Sequence, residues 1–211
     1  MLYIFAVESK LLAKMRYSLI VAMALAVLSL GSAAPPQSQY AIIAQFFKYA
    51  EAIREVQLDN MLDITLEFVD QVVMSVPANN RGPGTETLQS YLDRGRVVRQ
   101  TGSLKQKFDH VYGLQAVFEG LQGQLNPASP EAQVIAVNLL GLLGVASDFA
   151  IEDGKFYNNF VEGSTLMKAK LSTSTVNSEQ DLFSAIAEYT DSDFTQHEPL
   201  LERVLSFRNR Y

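Results

Sequence analysis

Apolar residues recur at three- and four-residue steps through most of the chain beyond residue 37, and no useful stretch alternates as a strand would. Ile42, Ile43, Phe46, Phe47, Ala50 and Ile53, then Met61, Leu62, Leu66, Val69, Val72, Val73 and Val76, mark one long helical block from Ser38 to Val76. Leu104, Phe108, Val111, Phe118, Leu121 and Leu125 carry the rhythm through a second block, from Thr85 to Gln124. A third runs from Pro130 to about Leu171: Ser129 suits its N-cap, Pro130 its first helical position and Glu131 its first turn. A fourth is split, from Asn177 or Ser178 to Tyr189 and from Glu198 to Arg208. The breaks between blocks are SVPANNRGPG, LNPASP, STSTVNS and the weaker HEP. The pattern predicts an all-α fold, an elongated antiparallel bundle of three long helices plus a split fourth. Gly95, Gly102, Gly113, Gly120 and Gly123 make the second block the one to bend or break.

The third block holds the most apolar stretch, VIAVNLLGLLGVA, Val134 to Ala146. Asp148 closes this run well short of the roughly 20 apolar residues of a membrane span. On a helical wheel, Glu131, Asn138, Gly141, Asp148 and Glu152 form one narrow strip, and the rest of the circumference is apolar. The expectation is a central helix covered on three sides, with that strip facing water. An alternative is an apolar cavity for a lipid or small hydrophobic ligand, lined by Leu139, Leu143, Phe149, Phe156 and Phe160.

The start of the chain follows another pattern. Met15-Arg16, the apolar run Leu19 to Leu30 and the small residues Gly31 to Ala34 describe a secretory leader cleaved after Ala33, with Met15 a possible true start. The competing reading is an N-terminal membrane anchor. Export predicts a secreted protein: residues 1–33 as signal peptide, residues 34–211 as a single helical domain, and no transmembrane anchor after cleavage. Export removes Lys10, Lys14, Arg16 and Glu8, so the net charge of −6 becomes about −8. Such a chain is poorly suited to nucleic acid or anionic membranes. Cysteine is absent, so stability rests on packing.

Charge also carries a register. Glu55, Asp59, Asp63, Glu67 and Asp70 fall on one side of the first block, while Arg94, Arg96, Arg99, Lys105 and Lys107 sit in the second. A hairpin turning near residues 80 and 81 puts Glu67 opposite Arg94, Asp63 opposite Arg96 or Arg99, and Glu55 opposite Lys105 or Lys107. The expected result is an inter-helix ladder; a divalent-cation face or a contact for a basic partner are the alternatives.

Motifs for chemistry are sparse. His110 and His197 are the only histidines, and neither sits in a Glu-x-x-His motif. The chain has no Gly-x-Ser-x-Gly elbow, Walker loop or dinucleotide fingerprint. RGPGTET lacks a phosphate-cradle lysine and reads as a turn into a capped helix. Asp191, Asp193, Thr195, His197 and Glu202 match part of a calcium loop, but Gln196 stands where glycine is required and Pro199 follows. Asp109 and His110 are adjacent, so on a helix they do not face each other. These features predict no catalytic residue, metal or cofactor. The expected role is non-catalytic: binding an unknown protein partner or self-associating, with hydrophobic-ligand carriage as the alternative.

Overall fold

The computed structural model describes residues 38–211. The leader and its cleavage point lie outside those residues. All regular structure among the described residues is helical. The α-helices in chain order are α1 (Gln39–Ser75), α2 (Pro83–Thr101), α3 (Leu104–Tyr112), α4 (Leu114–Gln124), α5 (Pro130–Asn138), α6 (Leu142–Lys170), α7 (Thr173–Ser178), α8 (Gln180–Asp191) and α9 (His197–Ser206). Short 3₁₀ turns lie at Ala78–Asn80, Leu139–Gly141, Phe194–Gln196 and Phe207–Arg210.

The second block differs from its expected single helix: it is three. The break after α2 has a local cause. Ser103 accepts the Gln106 backbone N–H at 3.3 Å, and the Gln106 side chain accepts the Ser103 N–H at 2.8 Å. This reciprocal capping box starts a new helix in mid-block. A second break falls at Gly113, whereas Gly95, Gly120 and Gly123 stay inside helices. The third block is also divided, by the turn at Leu139–Gly141. There a Cβ on Gly141 would lie 2.9 Å from the Phe68 ring, so the absent side chain lets the backbone come close.

The described chain forms two compact units. One comprises residues 38–54 with Lys155–Tyr211. Its core joins Ile43, Phe46, Phe47 and Ile53 of α1 to Phe156, Phe160 and Met167 of α6, Leu182 and Tyr189 of α8, and Leu201 and Val204 of α9. Phe160 meets Phe46 and Tyr189 edge-on, at 5.3 and 4.8 Å between centroids. Buried Arg54 donates to Glu198 at 2.5 Å. Arg208 pairs with Glu51, and Arg203 with Glu188.

The other unit is Glu55–Gly154. Val69, Val72, Val73 and Val76 of α1 pack with Leu88, Tyr91 and Leu92 of α2, Leu114, Phe118 and Leu121 of α4 and Ile135 of α5. Met61, Leu62 and Val111 form a smaller cluster. The end of α1 is closed by Arg81, whose guanidinium donates to the carbonyls of Val76 and Val73 at 3.1 and 3.3 Å. The N-terminus of α2 has Gly82 at its cap, which offers no side-chain acceptor. Glu131 of α5 takes that role, accepting from the Gly82 N–H at 2.8 Å, the Thr85 N–H at 2.7 Å and the Thr85 hydroxyl at 2.6 Å.

Candidate interaction face

The apolar third block lies opposite to its expected orientation. Of the strip read as water-facing, Glu131 and Glu152 are buried and Asn138 is half-buried. Each has an inward partner. Glu131 caps α2, Asn138 donates to the Ser75 hydroxyl at 2.9 Å, and Glu152 accepts from Asn60 at 2.8 Å. Next to Glu152, Asp153 accepts from Gln57 at 2.5 Å. Only Gly141 and Asp148 of the strip stay exposed. The apolar residues behind it face solvent instead: Val137 is 68% exposed, Leu140 73%, Leu143 79% and Ile151 53%. Polar side chains do not mark the wet face of this block: the Asn60 amide, the Ser75 hydroxyl oxygen and the free N–H groups at the start of α2 draw them inside.

Together, Pro130–Lys170 is long and apolar enough, by length and composition, to cross a membrane, and little of its most apolar stretch is buried. One side is nevertheless occupied by the contacts just described, and Ile135 and Val145 pack inward. The open side is therefore a helix face. Four large side chains there expose on the order of 500 Å², within the range of the largest, often functional, patch on a monomer. An open groove of about 350 Å³ along its start is lined by Pro130, Gln133, Val134, Val137 and Asn138.

Four of the five residues considered for a ligand cavity pack into hydrophobic clusters. Phe156 and Phe160 belong to the core of the first unit, where neighbouring rings fill the space. Leu139 packs against the valine-rich cluster of the second unit and Phe149 against its smaller cluster, while Leu143 points outward.

The charged residues are placed as follows. Arg99 contacts Asp63 at 2.7 Å and Asp59 at 3.2 Å. Lys107 contacts Asp59 at 2.8 Å and Glu55 at 3.2 Å. Arg96 reaches Asp70 at 3.2 Å as well as Asp93 of its own helix. Lys105 departs from the expected ladder: it pairs with Asp109, one turn on, at 2.9 Å. Glu67 is exposed, and Arg94 lies close enough to Tyr91 and His110 to act on both. Lys107 is the buried member. Burial disfavours its charge, but hydrogen bonds and the charges of Asp59 and Glu55 outweigh this and hold its pKa above the ordinary lysine value.

His110 stacks on Tyr91 at 4.1 Å, and the Tyr91 hydroxyl donates to the His110 carbonyl at 2.8 Å. The His110 Nε2 is buried without a hydrogen-bond partner. Burial, and then the charge of Arg94, lowers its pKa. His197 stacks on Tyr157. Asp191, Asp193, Thr195, His197 and Glu202 are spread from the end of α8 through a 3₁₀ turn into α9. Among the described residues, no three His, Asp or Glu gather where they could hold a metal ion.

Sequence periodicity found the apolar helix but not the direction it faces. No family model, curated protein or solved structure matches this chain.

Proposed function

We propose that this is a secreted, non-catalytic helical protein that acts by binding or assembly, through the open apolar face of α5 and the first part of α6. In this reading residues 1–33 are removed on export, and the rest works as an antiparallel helical bundle. The observation that carries it is the inverted amphipathicity of Pro130–Gly154. Glu131, Asn138 and Glu152 are satisfied inside, while Val137, Leu140, Leu143 and Ile151 stand in solvent. Leaving apolar area in water forgoes about 25 cal/mol per Å², so burying such a face against a partner is favourable. The ion pairs of Arg99 and Lys107 with α1 favour the antiparallel arrangement.

Hydrophobic-ligand carriage is the second reading, and the groove beside Val134 and Val137 is what favours it. Native mass spectrometry of the protein from its natural source separates the two. Binding or assembly predicts a complex heavier than one processed chain, made of protein alone. A single chain carrying lipid favours carriage, and a single bare chain overturns both. The same spectrum reports whether the chain begins at residue 34.

A further inference from the structure

We infer that the partner of this face is a second copy of the same chain, packed antiparallel about a two-fold axis; this rests on the binding reading above. The exposed residues are not scattered. Val137, Leu140, Gly144, Ser147, Ile151 and Gly154 are all exposed and follow one another at alternating three- and four-residue steps. That spacing is the a/d seam by which one helix packs along another. An amphipathic helix of a globular domain turns its apolar stripe onto the domain's own core. Here the core is served by the opposite side, through Ile135, Val145 and Glu152, so the seam is left over.

The order of steps, three-four-three-four-three, reads the same in both directions. A two-fold axis perpendicular to the helix pairs such a seam with its own reverse, each contact occurring twice. Laid antiparallel, Val137 faces Gly154 of the second copy, Leu140 faces Ile151, and Gly144 faces Ser147. Leu140 and Ile151 meet as the large pair, and Val137 packs over Gly154 at each end. The small residues meet at the centre, where the two backbones must approach. A Cβ on Gly144 or Gly154 would find nothing within 4 Å in the single chain, so the space beside both is open to a neighbour. Leu143 flanks the seam and widens its apolar strip, whereas Asp148 lies at the edge, in reach of water.

Area supports the same occupant. Two faces of on the order of 500 Å² bury roughly 1,000 Å² together, the threshold for a specific protein–protein interface. A lipid surface fits less well. The chain is acidic, and hydrocarbon against this face would also meet the edge carboxylate of Asp148.

The test uses the full chain, secreted and processed by its expression host. Light scattering on a sizing column is expected to give twice the mass of the processed chain. Leu140→Asp is expected to halve that mass with an unchanged far-UV spectrum. The chain has no native cysteine, so introduced thiols are its only ones. Mixing Leu140→Cys with Ile151→Cys is expected to give a disulfide-linked dimer, with Leu140→Cys alone linking at least tenfold more slowly. Equal linking of Leu140→Cys to itself overturns the antiparallel register. A dimer indifferent to Leu140→Asp overturns the choice of face. A monomer that floats with neutral phosphatidylcholine vesicles, and loses them on Leu140→Asp, overturns self-pairing but leaves the face as a binding surface. A monomer whose Leu140→Asp variant behaves identically in both assays overturns both readings.

Discussion

Glu131 accepts the Thr85 backbone N–H at 2.7 Å, so a carboxylate on α5 caps a helix that begins 48 residues earlier. Its desolvation raises the pKa, but the hydroxyl and backbone donors of Thr85, with the N–H groups of Gly82 and Gly84, outweigh it and leave the pKa below the ordinary value. Glu131→Ala strands those donors and is expected to cost about 1–3 kcal/mol at neutral pH. The sign with pH follows from the lowered folded pKa. The stabilisation is complete above the usual glutamate pKa and is lost as pH falls through the folded one. Urea unfolding should therefore show wild type and Glu131→Ala converging as pH falls below about 4.5. A constant gap across that range would show that the charge is not what binds.

The inverted face gives a contrast between near neighbours. Ile135 is 1% exposed and packs with the valines of α1, whereas Val137 stands in water. Ile135→Ala is expected to destabilise the fold by about 2–5 kcal/mol. Val137→Ala should change monomer stability by less than about 0.5 kcal/mol. Denaturant midpoints at concentrations low enough to keep the chain single check this. Reversed magnitudes would mean that the helix turns its other side inward.

The all-helical character was legible because every long segment carries the three- and four-residue rhythm, and the first helix ends where Val76-Pro77 says it should. The direction of the third block was not. Periodicity divides a helix into two faces; which face turns inward depends on what the rest of the chain offers. Glu152 finds Asn60, 92 positions away, and Glu131 finds Gly82 and Thr85, whose N–H groups are free because a glycine occupies the cap. The division at Ser103 was written locally, as Ser-x-x-Gln, but the continuing apolar rhythm masked it. Lys105 was placed by charge rhythm alone, yet Asp109 lies one turn away on its own helix.

Gly95 and Gly120 should respond oppositely to the same substitution. Both sit inside helices, where alanine is intrinsically better by about 1 kcal/mol. A Cβ at Gly120 meets nothing within 4 Å, so Gly120→Ala is expected to stabilise by up to about 1 kcal/mol. A Cβ at Gly95 would lie 2.4 Å from Leu66 Cδ2 and 2.5 Å from His110 Nε2. Gly95→Ala is expected to destabilise by about 1–3 kcal/mol, because the stacked ring and the leucine must both shift. Thermal melts of the two variants beside wild type decide it; a stabilised Gly95→Ala would show that α2 and α3 are not so closely apposed.

The Tyr91–His110 stack predicts a second, milder acid response. His110 Nε2 has no acceptor, burial opposes the charged ring, and Arg94 adds like-charge repulsion, so the folded pKa is depressed. A histidine held neutral binds fewer protons folded than unfolded. Its contribution is therefore full above the usual histidine pKa and declines as pH falls below it. His110→Phe keeps an aromatic ring against Tyr91 and removes the titration. Wild type is expected to lose thermal stability between about pH 7.5 and 5.5, and His110→Phe to lose less over that interval, where carboxylates contribute little. Equal losses would assign the response to other groups. A steeper loss in the variant would mean that the protonated ring finds an acceptor in the folded state, against the burial of its Nε2.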